Sequence, residues 1–66
     1  MIIKVNDIKT DFDGQTLLDL ARLKNLEEKT GLAIAVNETV IKRNEWANCR
    51  LEQNDSVIII VPVQGG

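Results

Sequence analysis

The apolar and polar positions at the start of the chain predict a β-hairpin. Residues 1–5 (MIIKV) are rich in β-branched side chains, which favours a strand. The Asn-Asp pair at 6–7 tolerates the left-handed backbone angles of a two-residue turn. Ile8, Thr10 and Phe12 then alternate with charged residues, a period of two that predicts a half-buried second strand reaching to the next glycine.

The spacing of leucines after this hairpin predicts one main helix. Leu17, Leu20 and Ala21 fall on one helical face. The Thr16 hydroxyl is placed to cap the first turn, where Asp19 also complements the helix dipole.

The same spacing predicts where this helix ends. Leu23 and Leu26 drift off the apolar face, because steps of three lag behind the helical period. We therefore expect an end near Lys24 or Asn25, with the stretch NLEEKTG forming a connection that Gly31 closes.

Three further strands are predicted in the second half of the chain. Residues 32–37 (LAIAVN) form the third strand and residues 39–41 the fourth, with a tight turn between them. Residues 43–47 (RNEWA) suit a single helical turn, and residues 56–62 form the last strand. Pro62 lacks an N–H, so pairing should fail at about that position.

The resulting order β-β-α-β-β-β predicts an α+β fold, a sheet with one helix packed across one face. The last strand is apolar at nearly every position, which indicates a central strand or apolar partners on both faces. One helix covers one face only. The pattern leaves open whether Ile58 and Ile60, or instead Val57 and Ile59, lie on the uncovered face.

Length, charge and composition exclude several classes of function. Sixty-six residues make one small domain, whose core is too small to enclose a large catalytic pocket. The net charge of −2, the absence of a basic run and the presence of only two aromatic residues argue against nucleic-acid binding. Without histidine, and with one cysteine, a metal site is not expected. The lone cysteine and the lack of a leader or membrane segment predict a cytoplasmic protein that does not bind membranes.

Individual side chains give no catalytic constellation, so we expect no enzyme. Cys49 adjoins Arg50, which would lower its pKa slightly, but a loop cysteine without a catalytic role is the better interpretation. Trp46 is expected to pack in the core with its indole N–H hydrogen-bonded nearby.

The chain ends in Gly65-Gly66, which has two interpretations. Terminal glycines are often frayed ends. Alternatively, residues without Cβ atoms can thread a narrow channel and present the terminal carboxylate on a stalk. Such a carboxylate can attack the α-phosphate of ATP to form an acyl-adenylate, from which a sulfur nucleophile displaces AMP.

The chain resembles the ThiS group of ubiquitin-like sulfur carriers in thiamine biosynthesis over essentially its whole length. The most specific segments are AVNETVIKRNEW and NDSVIIIVPVQGG, and GQTLLDL resembles the start of the family's helix. The matching positions are Ala35, Val36, Asn37, Arg43, Trp46, Asp55, Val63, Gln64, Gly65 and Gly66. Two departures are Lys42, where proline is usual, and Asn54, where glycine is common.

The resemblance implies a β-grasp domain over residues 1–62 and a flexible reactive tail over residues 63–66. It implies that Gly66 is adenylated by an E1-like (ThiF-like) adenylyltransferase that uses ATP and Mg, while the carrier itself binds no cofactor. A sulfur donor protein would then form the thiocarboxylate, and a ThiG-like thiazole synthase would receive the sulfur. Val63, Gln64 and Gly65 are carried over from the family as the tail that threads into the partner. Ile58 and Ile60, on the last strand, are our own inference for the surface that docks the partner.

Three alternatives stay open at this point. The small subunit of molybdopterin synthase shares the double glycine and the thiocarboxylate, although it usually lacks the arginine–tryptophan segment. Another ubiquitin-like carrier could feed a different sulfur pathway. A β-grasp interaction module with idle glycines belongs to a different class.

Overall fold

The structure is a computed structural model that describes residues 1–62. The elements are β1 (Ile2–Val5), β2 (Ile8–Asp11), α1 (Leu17–Leu23), β3 (Ala33–Val36), β4 (Thr39–Ile41), a 3-10 helix (Arg43–Asn48) and β5 (Ser56–Ile60). The predicted order of strands and helix and the α+β class are confirmed. The predicted helical turn at Arg43 is present as the 3-10 helix.

The last strand lies at the centre of the sheet. The five strands are arranged in the order β2-β1-β5-β3-β4, with β5 parallel to β1 and antiparallel to β3. This position explains its unbroken apolar sequence, because a central strand contacts protein on both edges and packs under the helix. Its regular pairing ends at Ile60, opposite Ala33, rather than extending to Pro62 as predicted.

Asparagine and acidic residues form the tight turns. Asn6 and Asp7 have φ values of 51° and 67°, and Asn37 and Glu38 have values of 49° and 72°. Positive φ at both central positions defines the turn that matches the twist of two antiparallel strands. Asn54, with a φ of 72°, adopts the backbone for which glycine is common, as asparagine can.

The helix begins with a reciprocal cap. The Thr16 hydroxyl accepts a hydrogen bond from Asp19 N–H at 3.2 Å, and the Asp19 carboxylate accepts from Thr16 N–H at 3.1 Å. A further hydrogen bond from Gln15 N–H, together with that from Thr16, holds the pKa of Asp19 below its usual value. This capping box satisfies N–H groups that the first turn cannot pair internally, so the predicted start of the helix is confirmed.

The core lies between α1 and one face of the sheet. Directly paired residues point to the same side, so Ile3, Val5, Ile34, Val36 and Val57 together meet the helix. The core is completed by Phe12, Leu17, Leu20, Ala21, Leu26, Trp46 and Leu51.

The burial of Ile8 and the burial of Leu26 both differ from what the sequence predicted. Ile8 was expected to be half-buried but is 68% exposed, because β2 is the edge strand of the sheet. Phe12 is buried as expected, although it lies just beyond β2, which ends at Asp11. Leu23 leaves the apolar face as predicted, whereas Leu26 is only 7% exposed. The left-handed backbone of Asn25, with a φ of 59°, turns the chain so that Leu26 returns to the core.

Within residues 1–62, no helix has the length and apolar character needed to cross a membrane.

Candidate functional site

The tail root, which we define as Val61 and Pro62, connects β5 to the predicted reactive segment. Both residues are exposed, and they follow the last paired residue of the central strand. The predicted tail residues Val63, Gln64, Gly65 and Gly66 lie outside the described residues. Their roles, and the division of the chain at residue 62, therefore stay predictions.

The uncovered face of the sheet carries Ile58 and Ile60. Val57 is fully buried under the helix, so the alternation along β5 turns Ile58 and Ile60 to the opposite side. Ile60 is 61% exposed, while Ile58 is half-buried. The choice of face that the sequence left open is thus decided.

Residues from the neighbouring strands extend this surface. Ile60 pairs with Ala33, Ile58 pairs with Ala35, and Ala35 pairs in turn with Val40 on β4. Val40 is 67% exposed. We call these five residues the open-face patch: Ala33, Ala35, Val40, Ile58 and Ile60. The contribution of Val40 was not predicted, because a three-residue strand gives no reliable alternation from which to assign its face.

Charged side chains border the open-face patch on the β1–β2 side. Lys4 pairs with Lys9 across the hairpin and with Ser56 on β5, so both lysines lie on the same face as Ile58. Both are exposed. The uncovered face is therefore apolar near the tail root, and it carries charges of both signs toward its far edge, where Asp11 lies on the same face as the two lysines.

Two asparagine side chains hold the ends of β5. Asn6 accepts a hydrogen bond from Ile59 N–H at 2.8 Å and donates to Ile59 O at 3.4 Å. At the other end, Asn37 accepts from Ser56 N–H at 3.0 Å and donates to the Asp55 carboxylate at 3.0 Å. The side chain of Asn6 continues the β1–β5 pairing beyond β1, so it supports the strand from which the tail leaves. Sequence reasoning assigned Asn6 only to a turn.

Trp46 is a core residue on which the Arg43 side chain rests. It is 1% exposed, and its indole N–H donates to Ile41 O at 3.0 Å, which confirms the predicted packing and hydrogen bond. The Arg43 guanidinium lies over the indole ring, 4.7 Å from its centroid. The guanidinium also donates to two carbonyl oxygens, those of Glu27 and Lys29.

Cys49 does not have the properties of a reactive thiol. It is half-buried, and burial together with the nearby charge of Asp55 raises its pKa. The slight lowering of the pKa that Arg50 was expected to cause is therefore wrong. The thiol stays protonated at neutral pH, and it is a poor nucleophile in that form. The described residues contain no cluster of three side chains able to ligate a metal ion.

The five-stranded mixed sheet with one helix across one face defines a ubiquitin-like β-grasp domain. The model of the ThiS family matches residues 3–66. The chain therefore belongs to the ThiS family.

Relatives agree with this assignment. The chain is 30% identical over 54 residues to the sulfur carrier protein ThiS of Escherichia coli K12, a match that covers 80% of this chain and 79% of the relative. The crystal structure of the thiamine biosynthesis protein ThiS from Geobacter metallireducens superposes with a TM-score of 0.81 at 19% identity, over the full length of both chains. A solution structure of a thiamine biosynthesis protein from the same organism gives a TM-score of 0.81 at 19% identity, covering 100% of this chain and 88% of that one. The structural matches confirm the β-grasp fold.

Proposed function

We propose that this protein carries sulfur as a thiocarboxylate on Gly66. Membership of the ThiS family makes it a sulfur carrier of thiamine biosynthesis, and a co-substrate of partner enzymes rather than a catalyst. The observation that carries the proposal for Gly66 is the extent of the family match, which runs from the first strand through the whole glycine tail to residue 66.

The chemistry requires partner enzymes in a fixed order. An E1-like, ThiF-like adenylyltransferase with ATP and Mg directs the Gly66 carboxylate onto the α-phosphate, which releases pyrophosphate and leaves an acyl-adenylate. A persulfide on a sulfur donor protein then attacks the carbonyl and expels AMP. Reductive cleavage of the resulting acyl disulfide by a thiol gives the thiocarboxylate. A ThiG-like thiazole synthase accepts the sulfur and returns the carboxylate.

The geometry of the described residues suits this role. Four residues follow Pro62, and an extended chain spans at most about 3.5 Å per residue, so Gly66 can reach about 14 Å beyond the domain. That length lets the carboxylate enter a partner's active site while the domain stays outside. Val63, Gln64 and Gly65 would pass through the narrow part of such a channel, where Gly65 occupies the least space because it lacks a Cβ atom.

The open-face patch is the proposed docking surface for the adenylyltransferase. It begins next to the tail root, because Ile60 immediately precedes Val61. Exposed apolar side chains gathered on one face of a small domain commonly mark an interaction surface. A partner that covers Ile58 and Ile60 would therefore hold the domain with the tail directed into its own active site.

The test is intact-protein mass spectrometry after incubation with ATP, magnesium, the adenylyltransferase of the same organism, a persulfide donor and a reducing thiol. Replacement of one oxygen by sulfur, placed on Gly66 by fragmentation, is the expected result. Fragmentation is needed because oxidation of Met1 or Cys49 changes the mass almost equally. An unmodified Gly66, when the Escherichia coli carrier and its own enzyme react under the same conditions, overturns the proposal and favours an interaction module.

Changing Ile60 to aspartate should weaken docking about tenfold or more, because a charge would be desolvated in an apolar interface. Ile8→Asp is the matched control. Ile8 is 68% exposed against 61% for Ile60, but it lies on the helix side of the sheet, where it pairs with Val5. The dissociation constant for the adenylyltransferase, measured by calorimetry, should rise for Ile60→Asp only. Equal affinities for the two variants would remove the open-face patch as the docking surface.

A further inference from the structure

A loop beside the tail root, residues 25–31, is anchored by one buried side chain and by an exposed ion pair between Glu27 and Arg22 of α1. Leu26 is its single buried side chain, and its N–H donates to Ala21 O at 2.8 Å. Residues 27–31 are exposed. Such a segment, with few buried contacts, opens easily unless other groups hold it.

Arg43 supplies that restraint from outside the loop. Its two terminal nitrogens, Nη1 and Nη2, donate separately to Glu27 O and Lys29 O. The flat face of the same guanidinium rests on Trp46, which is itself fixed in the core. The hydrogen bonds and the stacking together fix the guanidinium plane, so the core holds the loop backbone through Trp46 and Arg43. A lysine ammonium is a single point donor, and it cannot reproduce this planar two-nitrogen contact.

The restrained loop lies beside the tail root. Glu28, Lys29 and Thr30 line one cleft together with Val61 and Pro62. Next to it, a Cβ built on Gly31 would lie 3.4 Å from Pro62 Cγ, which is van der Waals contact. Strand pairing with β3 has already ended at Ile60, so the loop is the neighbour that flanks the chain where it leaves the sheet.

We propose that Arg43 is a positioning residue that sets the direction in which the C-terminal tail leaves the domain, by holding residues 27–31 against Val61 and Pro62. The inference rests on the proposed function of Gly66. The partner enzyme that depends on this direction is the one that forms the acyl-adenylate, since it must receive the carboxylate in line with the α-phosphate of a nucleotide.

A small change at the tail root has a large effect at the tip. The pyrrolidine ring fixes φ of Pro62, and the ring also restricts Val61 to extended conformations, so the position of the ring beside the loop influences the exit direction. A change of direction there shifts the region that the four following residues can reach, so the carboxylate would occupy the in-line position less often. Displacements of about 1 Å can already cost a reaction about a hundredfold in rate.

The experiment compares Arg43→Lys with Arg50→Lys in steady-state adenylate formation, with the carrier concentration varied. Arg50 is exposed, and its backbone bridges to Thr16 at the opposite end of α1 from the loop. For Arg43→Lys, kcat should fall about tenfold while KM changes less than about twofold, because the docking surface is intact. Arg50→Lys should behave as the wild type.

The different effects on kcat and KM distinguish a positioning role of Arg43 from a loss of stability. Partial unfolding lowers the concentration of competent carrier, which raises the apparent KM but leaves kcat at saturating carrier unchanged. An unchanged kcat for Arg43→Lys overturns the inference.

A second measurement does not depend on the proposed function. The heteronuclear 15N NOE of the Thr30 and Val61 amides should fall in Arg43→Lys and not in Arg50→Lys. Unchanged values for Val61 overturn the inference as well. If the wild type forms no adenylate, the proposed function of Gly66 is wrong, and the NOE alone decides whether Arg43 fixes the tail root.

Discussion

Deleting Gly65 and Gly66 should abolish thiocarboxylate formation and leave the melting temperature unchanged. Among the described residues, the core, the strand pairing and the caps lie within residues 1–60, so we expect the free energy of unfolding to change little. The reactive carboxylate, in contrast, would be moved back by two residues, about 7 Å short of the nucleotide. Mass spectrometry and thermal denaturation monitored by circular dichroism measure the two effects on the same sample.

Two milder variants distinguish the effect of tail length from the effect of an added side chain inside the channel. Gly66→Ala keeps the length of the tail but adds a Cβ next to the carboxylate, and we expect adenylation to slow about tenfold or more if the channel is narrow. One additional glycine after Gly66 adds no Cβ, but it moves the carboxylate about 3.5 Å further along the channel. Normal modification of Gly66→Ala would contradict threading through a narrow channel. Normal modification of the deletion variant would contradict the assignment of Gly66 itself.

Changing Trp46 to alanine should remove a large part of the stability of the domain. Truncation of a fully buried tryptophan costs about 3–5 kcal/mol. A domain of this size has a total stability of about 3–10 kcal/mol, so the loss is about a third or more of the total. The loss includes the platform for Arg43, and through it the attachment of residues 27–31. Urea denaturation followed by circular dichroism is the suitable measurement, because the substitution removes the only tryptophan fluorophore.

Trp46→Phe is the matched variant. It retains most of the buried ring but loses the hydrogen bond to Ile41 O, which should cost about 1 kcal/mol plus a smaller packing term. The alanine variant should therefore be several kcal/mol less stable than the phenylalanine variant. Equal stability of the two would mean that the ring contributes little packing in solution, contrary to its burial in the structure.

The elements that depend on local sequence could be predicted well. Thr16 and Asp19 formed the predicted helix start, and the Asn6-Asp7 turn follows from backbone preferences of those two residues alone. The central position of β5 was one of the two interpretations of its apolar sequence, and the sheet order confirms it.

The errors arise where burial depends on what lies opposite in space. Ile8 has the spacing of a core residue, yet α1 does not cover the edge strand that carries it. Leu26 was placed off the helical face by a period that no longer applies after Asn25 turns left-handed. A helical projection cannot represent a residue that leaves the helix and returns to the core.

The candidate site was predicted only in part for a similar reason. Gly66 and the tail stay predictions from the sequence, and Ile58 and Ile60 were named together with their alternative face. Arg43 could be recognised as part of a pattern, but its contacts with Glu27 and Lys29 cross a sequence separation of 14 to 16 residues. No local pattern in the sequence reports which carbonyl groups such a side chain meets.

The central position of β5 also determines how the molecule resists mechanical force. A partner that draws the tail into a channel would pull on the central strand, which is hydrogen-bonded to β1 on one edge and to β3 on the other. Extraction would have to shear both ladders together with the Asn6 contacts at Ile59, whereas an edge strand could be peeled away one bond at a time. We therefore expect the domain to resist tension applied through its tail better than it would if the tail followed an edge strand.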